Sequence, residues 1–82
     1  MTTVPNDREL IPIRWEHPEK KRYYQLFLSR DLLGDWVVTK AYGGLNTSVG
    51  RVTHVACSSL EDAKKLMNHI AQIRFKRGYI SI

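Results

Sequence analysis

Three groups of side chains in this sequence could do chemistry. His54 and Cys57 stand in a His-x-x-Cys spacing, with His69 further along. Zinc takes four protein ligands, or three and a water. No second cluster supplies the rest, so His54 reads as a half-buried strand histidine and Cys57 as a small packed residue. Ser58 and Ser59 lie close to His54. A nucleophile also needs a base held by a third group and a place for the oxyanion, and capping a helix uses both serines better. The third group is Lys40, Tyr42 and Arg51 around the glycines Gly43, Gly44 and Gly50, joined by Arg74, Lys76 and Arg77 near the C-terminus. Aromatic faces that stack on bases, flanked by cations that neutralise phosphate, are what nucleic-acid surfaces use. The alternative for Tyr42 is a ring that covers the core edge and wets its hydroxyl. The glycines are not a phosphate-cradling fingerprint, because no helix begins directly after them.

The stretch Trp36 to Gly50 organises the elements that must hold this group. Trp36 to Tyr42 reads as a strand, with Trp36, Val38, Lys40 and Tyr42 on one face and Val37, Thr39 and Ala41 on the other. A polar loop closed by Gly50 follows, and loops on a rigid scaffold are common places for binding residues. Upstream, Arg22 to Arg30 reads as a central strand. Tyr24, Leu26 and Leu28 point one way, and Tyr23, Gln25, Phe27 and Ser29 the other. Residues 31–35 join the two strands as a five-residue hairpin connection, with Gly34 free to take positive φ. Arg51 to Cys57 is the next strand of the meander. Glu16 to Lys21 is a charged turn, and Ile11, Ile13 and Trp15 suit a short edge strand, where Pro12 is tolerable.

Ser58 or Ser59 opens a helix, with Glu61 or Asp62 at capping-box spacing. Leu60, Ala63, Leu66, Met67, Ile70 and Ile73 form its apolar stripe. Arg74, Lys76 and Arg77 complement the carbonyl end of its dipole. Gly78 is expected just past the end, giving about 18 residues and roughly 27 Å. Tyr79 is expected to pack back against the sheet. The expected fold is α+β: a small antiparallel meander of three to four strands with one C-terminal helix packed across it. Residues 1–12, bracketed by Pro5 and Pro12, read as a tether, and residues 13–82 as the domain.

The totals bound the function. A chain of 82 residues supports one thin core and leaves little room for a deep enzyme cleft. No apolar run approaches the ~20 residues of a membrane span, and no signal-peptide pattern opens the chain. A single cysteine fits a reducing compartment, so the expected place is the cytoplasm. The net charge of +5 is unevenly spread: residues 1–35 hold six basic and six acidic side chains, residues 36–82 seven and two. A basic half attracts polyanions; it also serves simply as a solvated face.

In order and spacing these motifs resemble the WGR domain. Arg22-Tyr23-Tyr24-Gln25-Leu26 is similar to the family's opening strand. Asp31-Leu32-Leu33-Gly34-Asp35-Trp36 is similar to its acidic turn, Ser59-Leu60-Glu61-Asp62-Ala63 to its helix start, and Lys76-Arg77-Gly78-Tyr79 to its basic end. The resemblance spans residues 14–79. Where the family has Trp-Gly-Arg, this chain has Tyr42-Gly43-Gly44. Where a glycine usually follows two residues later stands Asn46, the kind of residue that best tolerates left-handed φ. The resemblance implies a domain that, in poly(ADP-ribose) polymerases, binds DNA ends and contacts neighbouring domains, and that also occurs as small bacterial proteins. In the DNA-binding members the tryptophan stacks near a terminal nucleotide and the arginine supports a backbone contact. Tyr42 keeps a stacking face. Gly44 lacks the guanidinium, and one lost charge-assisted contact of ~1.5–3 kcal/mol weakens binding ten- to a hundred-fold or more.

The sequence therefore leads to a non-enzymatic module that binds nucleic acid weakly through Lys40, Tyr42, Gly43, Arg51, Arg74, Lys76 and Arg77. It implies no cofactor, metal or small-molecule substrate. The second expectation is a protein-interaction or self-association module on the same fold.

Overall fold

In a computed structural model of the chain, residues 13–48 and 50–82 are described. The tether expected over residues 1–12 lies outside them. Five strands and one helix follow in the order β1 (Ile13–His17), β2 (Arg22–Arg30), β3 (Trp36–Gly44), β4 (Gly50–Cys57), α1 (Leu60–Lys76) and β5 (Ile80–Ser81). The strands form an open antiparallel sheet in the order β4-β3-β2-β1-β5, with α1 packed across one face. Among the described residues no helix is long and apolar enough to cross a membrane.

Local chemistry explains each element. The β2–β3 connection is the expected five residues with Gly34 at φ 87°. The Asp31 carboxylate accepts the backbone N–H of Leu33 and of Asp35, both at 2.9 Å, so one short side chain shapes the whole turn. The Arg30 guanidinium donates twice to the Gly34 carbonyl, at 3.1 and 3.3 Å. Turn length then sets register: Arg30 faces Trp36, and stepping away from the turn brings Leu28 to Val38, Leu26 to Lys40, Tyr24 to Tyr42 and Arg22 to Gly44.

Helix α1 is capped by Ser59, whose hydroxyl accepts the Asp62 N–H at 3.0 Å. The Ser58 hydroxyl donates to the Asp62 carboxylate at 2.6 Å. Of the two candidate caps, then, Ser59 sits at the helix entrance and Ser58 buttresses it. At the far end Gly78 takes φ 89°. Its N–H donates to the Phe75 carbonyl (3.1 Å), and the Tyr79 N–H reaches the Arg74 carbonyl (3.0 Å). This paired closure of a helix end doubles the chain back, so that Ile80 and Ser81 pair with Glu16 and Trp15.

The core lies between α1 and the sheet: Trp15, Leu26, Leu28, Val38, Ala63 and Ile70 are buried. Tyr24, Trp36, Cys57, Leu60, Leu66 and Met67 pack around them. Leu26 and Val38 are fully enclosed, each worth ~1.5–3 kcal/mol by burial.

The structure corrects the sequence reading in four places. The sheet has five strands rather than three to four, because the Gly78 turn returns a short fifth one. That strand flanks β1, which is therefore interior and not an edge. Strand β3 continues through Gly43 and Gly44, so the loop after it is shorter than expected. Lys21, at φ 54°, is the one non-glycine residue with positive φ among the described residues, so Asn46 is not left-handed.

Candidate functional site

Strands β2 and β3 run past the C-terminal end of α1, and on the helix-facing side their character changes there. Under the helix they present Leu28, Val38 and Leu26. Beyond it they present Lys40, Tyr24, Tyr42 and Arg22. The space left over is a hollow of ≈ 490 Å³ lined by His17, Lys20, Arg22, Tyr24, Lys40, Tyr42, Arg74, Arg77 and Tyr79. Of these nine described lining residues five are lysine or arginine, and none is a carboxylate. The ion pair found among the described residues, Arg14 with Glu16 at 2.9 Å, is elsewhere.

The floor is an aromatic framework. The Tyr24 and Tyr42 rings stack with centroids 5.2 Å apart and planes 9° from parallel. Tyr79 meets Tyr24 edge-on at 6.4 Å and His17 edge-on at 5.4 Å. The Arg74 guanidinium lies over Tyr24 (4.3 Å) and Tyr79 (4.9 Å). Such contacts are worth ~0.5–1 kcal/mol where exposed and ~2 where desolvated, so the ring pair holds this cation in one place. Its Nε is buried without a hydrogen-bond acceptor among the described residues, the kind of group that costs stability to hide. Burial pushes the Tyr24 hydroxyl above its ordinary pKa of 10.0; the Arg74 charge opposes this, and Tyr42 and Tyr79 add to it.

His17 is buried at the rim, and its Nδ1 accepts the Lys20 N–H at 3.2 Å. That bond shapes the turn carrying Lys20 towards the hollow. The Leu45 N–H then donates to the Lys21 carbonyl at 2.8 Å, tying this turn to the loop after β3. Between those two bonds sits Arg22, opposite Gly44.

A second hollow of ≈ 400 Å³ adjoins the first, lined by Arg22, Tyr42, Gly43, Gly44, Thr47, Gly50 and Arg51. Gly50 has a packing reason to be glycine: a Cβ there would come within 2.9 Å of the Tyr23 hydroxyl and 3.2 Å of the Tyr42 carbonyl oxygen. A Cβ at Gly44 would sit 3.2 Å from the Thr47 methyl group, so a larger residue there requires Thr47 to give way.

Of the residues expected at the site, Lys40, Tyr42, Arg74 and Arg77 meet in the first hollow, while Gly43 and Arg51 join Tyr42 in the second. Lys76 is exposed on the helix and lines neither. Lys20, Arg22, His17, Tyr24 and Tyr79 enter the site without having been expected there. For Tyr24 and Arg22 a signal existed, because the five-residue hairpin turn dictates their partners in β3. His54 is exposed on the opposite face, its Nδ1 2.9 Å from the Thr39 hydroxyl, and is not the half-buried histidine expected. Among the described residues no three of His, Cys, Asp and Glu converge as a metal would require. No family model, curated protein or solved structure matches this chain.

Proposed function

We propose that this chain is a WGR-like, non-enzymatic module of the cytoplasm that binds nucleic acid weakly, mainly through phosphate. One observation carries the reading: five cations converge on one hollow with aromatic walls and no carboxylate among its described lining residues. Like charges held together repel unless an anion joins them, so the hollow favours a ligand with negative charge. Lys20, Arg22, Lys40, Arg74 and Arg77 would neutralise phosphate, with Arg51 extending the cationic rim past Tyr42. Arg22, facing Gly44 across the strand pair, returns a guanidinium to the neighbourhood where the resemblance lacks one.

Fluorescence anisotropy with labelled oligonucleotides over a salt series tests this. Three phosphates neutralised on a single strand give a slope of log affinity against log salt of about −2. Lys40→Glu with Arg51→Glu is expected to flatten that slope and cut affinity about a hundred-fold or more. A flat salt response, or an unchanged double variant, would sink the reading.

A second reading, as a protein-interaction or self-association module, is favoured by the other face of the sheet. It carries Phe27, Val37, Ala41 and Val52; among the described residues it has no helix across it, and it ends at β4, whose outer side is unpaired. Unpaired strand edges invite pairing with another chain. Sedimentation across a concentration range would support this reading by a shift to dimer, and would count against self-association by a constant monomer mass.

A further inference from the structure

The two hollows share Arg22 and Tyr42. They differ in chemistry. The first converges cations, and suits a compact anion. The second is lined by Tyr42, by the glycines Gly43, Gly44 and Gly50 with Thr47 beside Gly44, and by Arg22 and Arg51. Three of its seven described lining residues are glycines, which leaves room beside Tyr42 for a flat ring. Tyr42 is braced for that purpose, because its ring is stacked parallel on Tyr24. Both volumes, ≈ 490 and ≈ 400 Å³, lie within the ~300–1,000 Å³ of pockets that take small organic groups.

An anion site and a planar-ring site set side by side repeat the order of groups along a polynucleotide. We propose that the continuous groove takes an unpaired strand. A phosphate sits among Lys20, Arg22, Lys40 and Arg74, and the adjoining base lies on Tyr42 in the second hollow. This rests on the phosphate-binding reading above and narrows it. A base inside a duplex has both faces covered by its neighbours and cannot lie on Tyr42, so a duplex with closed ends reaches the cations alone. Arg22, at the junction, touches both groups and sets their spacing.

The test compares labelled oligonucleotides of equal phosphate count: a mixed-sequence DNA strand, the same strand in RNA, an abasic strand and a duplex closed at both ends by polyether linkers. The DNA or the RNA strand is expected to bind roughly ten-fold or more tighter than the abasic strand and the duplex, the scale of one base stacked on an aromatic. Whichever of the two binds tighter names the natural strand. Tyr42→Leu is expected to erase that advantage and leave the abasic strand within about two-fold, whereas Tyr42→Trp retains it. The wild-type comparison of abasic with intact strand needs no variant to fold. Equal binding of all four with a steep salt response would overturn the groove and leave phosphate binding standing. No binding of any would overturn both.

Discussion

The two ends of the β2–β3 pair treat charge in opposite ways. At the turn end, polar groups are spent locally. Asp31 is satisfied by two backbone N–H groups, and Arg30 donates to Gly34 while lying 4.9 Å over the Trp36 ring. At the other end, Lys20, Arg22, Lys40, Arg74 and Arg77 line one hollow with no acid among its described lining residues. Strands β2 and β3 carry arginine or lysine towards both ends, Arg30 at one and Arg22 and Lys40 at the other, so composition does not separate them. What differs is whether each charge finds its partner within a few residues of itself. Where it does, the side chain is structural. Where it does not, the side chain is held by rings and neighbours and left open to a ligand.

Substitutions at the two ends should therefore separate stability from binding. The largest effect is expected at Gly78, which holds the basic end closed. Gly78→Ala forces a left-handed residue, costing ~1–2 kcal/mol, and sets its Cβ 3.1 Å from His17 Nε2. Denaturant unfolding is expected to show a loss of about 2 kcal/mol, and anisotropy a parallel loss of oligonucleotide affinity as His17 and Tyr79 shift. If affinity holds while stability falls, the basic end is not organised by this turn.

Asp31→Ala should be milder and cleaner. Two exposed backbone donors lose their acceptor, for about 1 kcal/mol in all, or roughly 4–8 °C in melting temperature for a domain of this size. Oligonucleotide affinity should stay unchanged, because the turn is at the opposite end of the strand pair. A loss of affinity here would break the contrast between the two ends.

The smallest effect is a dependence on high pH from Tyr24. Its pKa is raised in the folded state above 10.0, so the folded chain keeps this proton where the unfolded chain releases it. The stability it contributes is complete below pH 10 and is lost as pH rises through the raised value. A urea midpoint that falls with pH above 10 in the wild type, and less steeply in Tyr24→Phe, is the expected result. Equal slopes would mean that Tyr24 is not the group responsible.

Much of the fold was legible along the chain because its causes are local. Alternation placed Lys40 and Tyr42 on one face and Tyr24 with Leu26 and Leu28 on the same side of the sheet. Turn residues located the hairpin, and the serines and Gly78 located both ends of the helix. The site was legible only in part. Residues 1–35 balance to zero charge, so the totals do not single out Lys20 and Arg22. Yet no acid among the described residues lines the hollow: Glu16 pairs with Arg14, and Asp31 lies in the hairpin turn. Lys76, in the more basic half, lines neither hollow.

The sequence by itself determined the meander, its register from the turn outwards, and the capped helix, since each depends on contacts between residues close along the chain. Only the tertiary structure decided that β5 would flank β1, and that Lys20, Arg22, Lys40, Arg74 and Arg77 would share one hollow. Electrostatic attraction and repulsion act through space, at distances of a few ångströms. Those distances exist only once the end of α1 and the turn at Gly78 bring three separate stretches of chain together.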